Sequence, residues 1–325
     1  MKVCVFGAGA IGSHLAARLA AAGHAEVSVV ARGAQLEAIR KHGILLKSGG
    51  EEIRGRPAAA TDHPATLPKQ DLVIVTLKAH ALPALAAQID ELLAPQGCAV
   101  FMLNGLTWWW RQGRPGEAGA LPLLDPEGAL WARLRERTLG CVIYSPNEVV
   151  SPGVVVHIGA NRYVMGEPSD RKTPRMQAVV DLFNQSGMTA EISPDIRAEV
   201  WRKLMNNASG NTLAALTRLG HYEIASDPDV KRIGIEIMRE TLNVAAAMGW
   251  DLRKEVDVEK IASRATPGPS SPPSMLQDVL LGRPLEVEAH IGQTQAFARE
   301  KGVPVPTIDI ILPLLRALDR TIRRG

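Results

Sequence analysis

One stretch of the sequence carries polar side chains in an arrangement suited to catalysis: VWRKLMNNASGNTLAAL, residues 200–216. Its apolar spacing predicts a helix, along which Lys203, Asn207 and Asn211 follow one another four residues apart. Such a spacing places the three side chains on one slowly drifting helix face. A lysine donates to a carbonyl oxygen, and an asparagine amide offers both a donor and an acceptor. The pattern indicates a site for a carbonyl substrate, with a solvated polar face as the alternative.

A second motif, GAGAIG, fits the GxGxxG pattern of dinucleotide-binding loops. It follows an apolar strand-like run and opens a helical pattern, which is the context that gives this motif meaning. There the three glycines allow, in order, a tight turn, the approach of a pyrophosphate to the backbone, and close packing of helix on strand. The free N–H groups of the helix start favour phosphate. We predict that the loop binds a cofactor through Gly7, Gly9, Ala10, Ile11 and Gly12.

The end of the second predicted strand, VVARG, bears on the identity of the cofactor. Arg32 stands about 20 residues past the glycines, where an acidic residue would bind the ribose 2′-OH of NAD and a cation would bind the 2′-phosphate of NADP. The sequence therefore predicts NADP(H), with a solvated loop charge as the alternative for Arg32. Lys78 and Asn104 each end a predicted strand, at the sheet edge where ligands of open α/β folds bind. Turn chemistry is the alternative, above all for the pair Asn104–Gly105.

The elements that carry these residues follow from the patterning. Short apolar strands alternate with helical patterns in the first half of the chain, as in a parallel sheet covered on both faces. Between residue 139 and about residue 192, runs such as VVVHIG and RYVMG predict further strands of the same sheet. After Ser193–Pro194–Asp195, a helix-start signal, the long patterns are helical. These helices are predicted at residues 196–217, 228–248 and 307–323.

We therefore predict an α/β Rossmann-type, doubly wound parallel sheet domain followed by an all-helical C-terminal domain. The predicted bounds are residues 1–192 for NADP binding and 193–325 for substrate binding and dimerisation. The segment ATPGPSSPPS, residues 265–274, reads as a linker. Ser274 leaves it just before a helical pattern, in the place of an N-cap, and a helix start binds carboxylate readily.

The composition excludes several classes of protein. The chain is 46% hydrophobic and 22% charged with a net charge of +3, and it has no basic block for nucleic acid. No apolar run reaches the roughly 18 residues of a membrane span, and the first residues lack a signal-peptide layout. Three widely spaced cysteines argue against disulfides and a metal site, so we expect a cytoplasmic protein without metal. We expect His14 and His24 at the surface and assign no role to His80 or His157.

Six motifs together resemble the ketopantoate reductases in order and spacing. They are GAGAIG, VVARG, VTLKAH, LNG, VWRKLMNNASGNTLAAL and PSMLQDVLLGRPLEVEAHIG. The lysine helix and SMLQD are specific, whereas the glycine loop is shared by many families. The resemblance implies a Rossmann domain joined to a helical domain, and NADPH-dependent reduction of 2-dehydropantoate to (R)-pantoate.

The resemblance also implies roles for single residues. Lys203 resembles the family's general acid at the reacting carbonyl. Glu286 matches the glutamate near the substrate hydroxyl and the lysine; Glu288 competes for this role, and the spacing from Ser274 favours Glu286. The implied substrate-binding residues are Asn207, Asn211, Ser274, which would bind the carboxylate, and Asn104. The implied cofactor-side residues beyond the glycine loop are Arg32, Lys78 and Asn104.

The sequence departs from the family pattern in residues 107–131, a longer connection with four of the six tryptophans, and in the segment VIYSPNEVVSPGVVVH. The tryptophans could line the substrate cleft, shield a lid or seal a subunit interface; a surface insertion is the alternative. These departures leave open a reductase of a different 2-oxo acid, including a larger one. A non-catalytic NADP(H)-binding sensor is the rival from another class. The expected partner is a small-molecule 2-oxo acid, with a possible homodimer through amphipathic C-terminal helices.

Overall fold

The computed structural model describes residues 1–114, 119–264 and 272–324. Residues 265–271 of the predicted linker and residues 115–118 of the Trp-rich segment lie outside this part of the chain. The contacts of the chain divide it into two compact units. The first unit comprises Met1–Leu103 and Trp108–Ile196, and the second comprises Asn104–Thr107 and Arg197–Gly325. The assignment of cofactor binding to residues 1–192 and of substrate binding and dimerisation to residues 193–325 stays a prediction.

Twelve strands lie in the described part of the first unit. They are β1 Lys2–Phe6, β2 Glu26–Val30, β3 Ile44–Ser48, β4 Glu51–Gly55, β5 Ala59–Thr61, β6 Gln70–Val75, β7 Leu93–Met102, β8 Thr138–Tyr144, β9 Asn147–Ser151, β10 Val154–His157, β11 Arg162–Gly166 and β12 Thr189–Ile192. Eight of them form a sheet in the order β12-β11-β8-β7-β6-β1-β2-β5. Neighbours in this sheet run parallel except β8 and β11, which are antiparallel. The predicted Rossmann-type parallel sheet is confirmed.

The other four strands form a separate sheet in the order β4-β3-β10-β9. The prediction that VVVHIG adds a strand to the main sheet is therefore wrong, since it forms β10. Strand β10 is parallel to β3 and antiparallel to β9. A continuous run of valines shows that a strand is apolar, but not which sheet it joins, because pairing is decided by partners distant in sequence.

Five α-helices accompany these strands. They are α1 Ala10–Ala22, α2 Gly33–His42, α3 Ala86–Leu92, α4 Ala129–Leu134 and α5 Pro174–Gln185. Helix α1 contacts strands of both sheets, so that it is covered on two sides. The apolar spacing of residues 82–93 also predicts a helix, but only α3 is α-helical, because the preceding segment forms 3₁₀ turns, one of them at Pro83–Leu85. Helix α5 lies in the region that was predicted as strands.

Three consecutive tryptophans of the long connection are buried. Trp108, Trp109 and Trp110 are each at most 2% exposed. The Trp108 ring stands edge-on to Phe101 with the ring centroids 5.1 Å apart. A Cβ atom on Gly140 would lie 2.5 Å from the Trp109 ring, so β8 has a glycine where this indole packs. For these three residues, the interpretation as a surface insertion is wrong.

His14 lies inside α1 and is fully buried, so the prediction of a surface position is wrong. The physical reason is the second sheet, which covers the side of α1 that a simple α/β layer would leave in solvent. Arg18 Nε lies 3.2 Å from His14 Nε2, and the His157 ring stands edge-on with the centroids 4.8 Å apart. Burial first, and then repulsion by His157 and Arg18, lower the pKa of His14 to about 3.

We expect this buried histidine to make the protein sensitive to mild acid. The unfolded chain binds a proton at His14 below its ordinary pKa of 6.5, while the folded chain rejects that proton down to a pKa of about 3. The contribution of neutral His14 to folding stability is therefore fully present above the unfolded pKa. It is lost as the pH falls from there toward the folded pKa. The linkage amounts to about 2 kcal/mol between pH 7.5 and pH 5.

Urea unfolding at these two pH values measures the loss of stability. The variant His14→Gln is expected to lose roughly 2 kcal/mol less than the wild type over this interval. His24→Gln serves as the control, because His24 is exposed. Equal pH dependence in wild type and His14→Gln would contradict the assignment.

The second unit is helical, as predicted. Its helices are α6 Ile196–Thr217, whose first residue belongs to the first unit, α7 His221–Ser226, α8 Pro228–Ala247, α9 Val258–Ala262, α10 Ser274–Leu280, α11 Gln293–Lys301 and α12 Pro306–Ile322. The three helices predicted from sequence are α6, α8 and α12. A π-helical turn, Glu288–Gly292, runs directly into α11. No helix in the described part of the chain is long and apolar enough to cross a membrane.

Candidate active site

The loop between β1 and α1 has a geometry that only glycine allows. Gly7 has a φ of +110°, in the region that other residues rarely adopt. A Cβ atom on Gly12 would lie 1.8 Å from the Gly7 carbonyl oxygen, so α1 packs against the turn without room for a side chain. Thr76 Oγ1 donates to the same carbonyl at 2.7 Å and fixes the turn. Thr76 was not among the predicted site residues, and only its place directly after a strand that pairs with β1 would have indicated it.

Gly9 presents open space where Gly12 presents none. It is the N-cap of α1, makes no side-chain cap, and has no atom within 4 Å of the place where a Cβ would stand. The N–H groups of the first helical turn, which includes Ala10 and Ile11, therefore have no capping side chain and are suited to a phosphate. This cradle, which a Cβ would fill, fits the pyrophosphate of a dinucleotide.

Two basic side chains follow the ends of strands in the same unit. Arg32 is exposed at the N-cap of α2, two residues after β2. Within the described residues its guanidinium has no hydrogen-bond or ion-pair partner, which leaves it available for a phosphate. Lys78 is half-buried, three residues after β6, where it precedes a 3₁₀ turn.

The structure brings Lys203 and Asn104 together in the second unit. Lys203, half-buried on α6, donates from Nζ to Asn104 Oδ1 at 2.7 Å across 99 positions of sequence. An amide oxygen can only accept, so this contact orients an ammonium donor without taking its proton. Asn207 is half-buried one turn further along α6, and Asn211 is buried one turn beyond it.

Ser274 is placed differently from its prediction as an N-cap. Helix α10 begins at Ser274 itself, and the N-cap position is taken by Pro273, which makes no side-chain cap. The Ser274 hydroxyl instead donates to Asn211 Oδ1 over a long 3.4 Å. Because the hydroxyl reaches another helix rather than its own backbone, the structure joins Ser274 to one end of the polar face of α6.

The two candidate glutamates have different surroundings. Glu288 holds both oxygens on Arg316, with Nε–Oε1 at 2.8 Å and Nη2–Oε2 at 2.7 Å, and this contact raises the pKa of Arg316. Glu286 is only 6% exposed, and its backbone carbonyl accepts from both the N–H and the ring Nδ1 of His290. Since the Glu288 carboxylate is bound to Arg316, Glu286 is the better candidate for the glutamate that acts beside Lys203.

Comparisons with known proteins match both halves of the chain. The family Ketopantoate reductase PanE/ApbA matches residues 3–170, and the C-terminal family Ketopantoate reductase PanE/ApbA C terminal matches residues 195–319. A 2-dehydropantoate 2-reductase from Mesorhizobium japonicum is 38% identical over 100% of this chain and 99% of its own length. One from Archaeoglobus fulgidus is 28% identical over 98% of both chains.

A solved structure gives the same result. The provisionally named ketopantoate reductase from Ralstonia solanacearum MolK2 has a TM-score of 0.89 and 34% identity, covering 99% of this chain and 98% of that one. Members of this family are NADP-dependent oxidoreductases, which agrees with the glycine loop and Arg32. Since both halves of the sequence and the whole fold match, the chain belongs to the ketopantoate reductase family.

Proposed function

We propose that this protein reduces 2-dehydropantoate to (R)-pantoate with NADPH. The observation that carries the proposal is the 2.7 Å hydrogen bond from Lys203 Nζ to Asn104 Oδ1, which holds an ammonium donor in a fixed place on a family-matched scaffold. The two sequence relatives described above are themselves named 2-dehydropantoate 2-reductases, and one is similar over the full length. Localisation in the cytoplasm and a homodimer stay parts of the proposal.

Residues of the second unit act on the keto oxygen and the carboxylate of the substrate. Lys203 donates a proton to the keto oxygen as negative charge develops on it. Asn104 keeps the ammonium aimed, and Glu286 orients the lysine and the substrate hydroxyl. Asn207 holds the substrate beside them. The long Ser274–Asn211 contact is one that a substrate carboxylate replaces with shorter, charge-assisted hydrogen bonds.

The cofactor would be held by residues of the first unit. The glycine loop takes the pyrophosphate on the backbone of Gly7, Gly9, Ala10, Ile11 and Gly12. Arg32 would pair with the 2′-phosphate, and Lys78 would contact the cofactor. Asn104, also predicted on the cofactor side, belongs to the second unit. NADPH supplies the hydride when it is bound.

The burial of the tryptophans bears on the choice of substrate. A larger 2-oxo acid was suggested by residues 107–131, but Trp108, Trp109 and Trp110 are packed side chains at most 2% exposed. Residues that fill a core do not need a bulky substrate to explain them. This observation favours 2-dehydropantoate over a larger 2-oxo acid. A non-catalytic sensor would need no proton donor, whereas Asn104 holds the Lys203 ammonium in a fixed place.

The decisive measurement is NADPH oxidation, followed by nicotinamide absorbance, with 2-dehydropantoate. We expect turnover of roughly 1 per second or more and a higher kcat/KM than with 2-oxo acids that carry an aromatic side chain. NADPH binding should be measured in parallel. Binding of NADPH without turnover of 2-dehydropantoate, together with turnover of another 2-oxo acid, would refute the substrate. Binding without turnover of any 2-oxo acid would refute the reductase.

A further inference from the structure

Asn104 belongs to a short segment that is fastened to the π-helical turn. The Leu106 N–H donates to the Ala289 carbonyl oxygen at 2.7 Å. Gly105 has a φ of +83°, and a Cβ on it would lie 2.3 Å from the same oxygen. This close approach explains why the segment Asn104–Thr107 groups with the helical unit rather than with the strand that precedes it.

The π turn redirects the N–H group that would bind this carbonyl in an α-helix. In an α-helix the Ala289 carbonyl would accept from the N–H four residues on, which is that of Gln293. Here the Gln293 N–H donates to the Glu288 carbonyl, five residues back. The Ala289 oxygen can therefore accept from Leu106. Single π turns inside helices are frequent at functional sites.

A side-chain contact spans the same turn. Glu288, its first residue, binds Arg316 of α12 through two parallel hydrogen bonds. Gly292, its last residue, leaves the space that this carboxylate occupies, because a Cβ there would lie 2.1 Å from Glu288 Oε2. Two parallel bonds between a guanidinium and a carboxylate constrain direction as well as distance. The pair and the glycine together hold the turn against α12.

We propose that Glu288, Gly292 and Arg316 are positioning residues for the general acid. The proposal rests on the proposed function. The Glu288–Arg316 pair holds the π turn in shape, the turn presents the Ala289 carbonyl to Leu106, and the Leu106 N–H holds Asn104 against Lys203. None of the three residues needs to touch the substrate. Their effect on turnover passes through Asn104.

Two variants break this arrangement in different ways. Arg316→Gln removes the cation, while Gly292→Ala displaces the Glu288 carboxylate without changing any charge. Alanine is also the better helix former, so the second variant keeps the helix. Arg239→Gln is the matched control: Arg239 binds carboxylates on α8 and α9 and touches neither the turn nor the Asn104–Thr107 segment.

The first readout needs no substrate. Amide hydrogen exchange of Leu106 reports whether the π turn holds the segment, because an amide exchanges when its hydrogen bond opens. We expect exchange on the order of 10-fold faster in both variants than in the wild type and in Arg239→Gln, which is about 1.4 kcal/mol of opening free energy. Unchanged exchange in both variants overturns the proposal, whatever the enzyme's activity.

The second readout is kinetic. Both variants should lower kcat by about 10- to 100-fold, the loss that a displaced catalytic group causes, with KM for NADPH unchanged. In an Asn104→Ala background the same substitutions should change kcat by less than about twofold, since coupled residues are not additive. Equal losses in both backgrounds would show a general structural effect and overturn the proposal. Faster Leu106 exchange in both variants, found together with a wild type that turns over no 2-oxo acid, would instead refute the proposed function and leave the anchoring of the segment standing.

Discussion

Replacing Lys203 with alanine is expected to lower kcat for 2-dehydropantoate by about 10²- to 10⁴-fold, the range that a positioned general acid contributes. Alanine leaves no donor at the keto oxygen, and water in its place is neither charged nor oriented. Binding of NADPH should be unaffected, because the glycine loop and Arg32 belong to the other unit. The predicted split, lost turnover with retained cofactor affinity, separates a reductase from a cofactor-binding sensor.

The measurement combines steady-state kinetics with titration of NADPH by fluorescence. Asn206→Ala is a suitable control, because Asn206 is exposed on the same helix and has no predicted role at the site. Near-wild-type turnover in Lys203→Ala would show that another group delivers the proton. Loss of NADPH binding along with turnover would show that the substitution disturbs more than the acid.

Alanine substitutions at two glycines of the cofactor loop are expected to differ in effect: one lowers the stability of the fold, and the other lowers the affinity for NADPH. In Gly12→Ala the new Cβ would stand 1.8 Å from the Gly7 carbonyl oxygen, which is backbone and cannot swing aside. We expect a loss of stability of about 1–3 kcal/mol or more, as for overpacking of a tight core. In Gly9→Ala the Cβ meets no atom within 4 Å, so the folded protein should be as stable as the wild type.

The affinity for NADPH should nevertheless fall in Gly9→Ala. Its Cβ occupies the space in which a pyrophosphate approaches the backbone, and a steric penalty of about 1–3 kcal/mol corresponds to roughly 5- to 150-fold in dissociation constant. Thermal unfolding and NADPH titration of both variants check the contrast. Wild-type NADPH affinity in a stable Gly9→Ala protein would place the pyrophosphate elsewhere.

Much of this protein could be predicted where a local pattern is enough. The period of the apolar residues located α6, α8 and α12, and the GAGAIG motif located the turn before α1. These features depend on interactions between residues a few positions apart, which a single sequence displays directly. The resemblance supplied Glu286 as a candidate and gave specific roles to Lys203 and Asn104, and these roles stay predictions.

Other features depended on partners far away in the chain. No local pattern shows that β10 joins β3 in a second sheet, and the burial of His14 follows from that pairing. The hydroxyl of Ser274 could have capped its own helix; in the folded chain it reaches Asn211 instead.

The site itself shows the same division. Residue types and four-residue spacing identified the polar face of α6, because a helix converts sequence intervals into directions. The contact of Lys203 with Asn104 joins residues 99 positions apart, and that of Glu288 with Arg316 joins residues 28 positions apart. Such contacts arise only when packing brings separate helices and loops to one place, since each partner is compatible with many neighbours until the chain is folded. The sequence alone therefore identified the residue types and their spacing along one helix. The relative positions of these side chains and their partners were decided by tertiary packing.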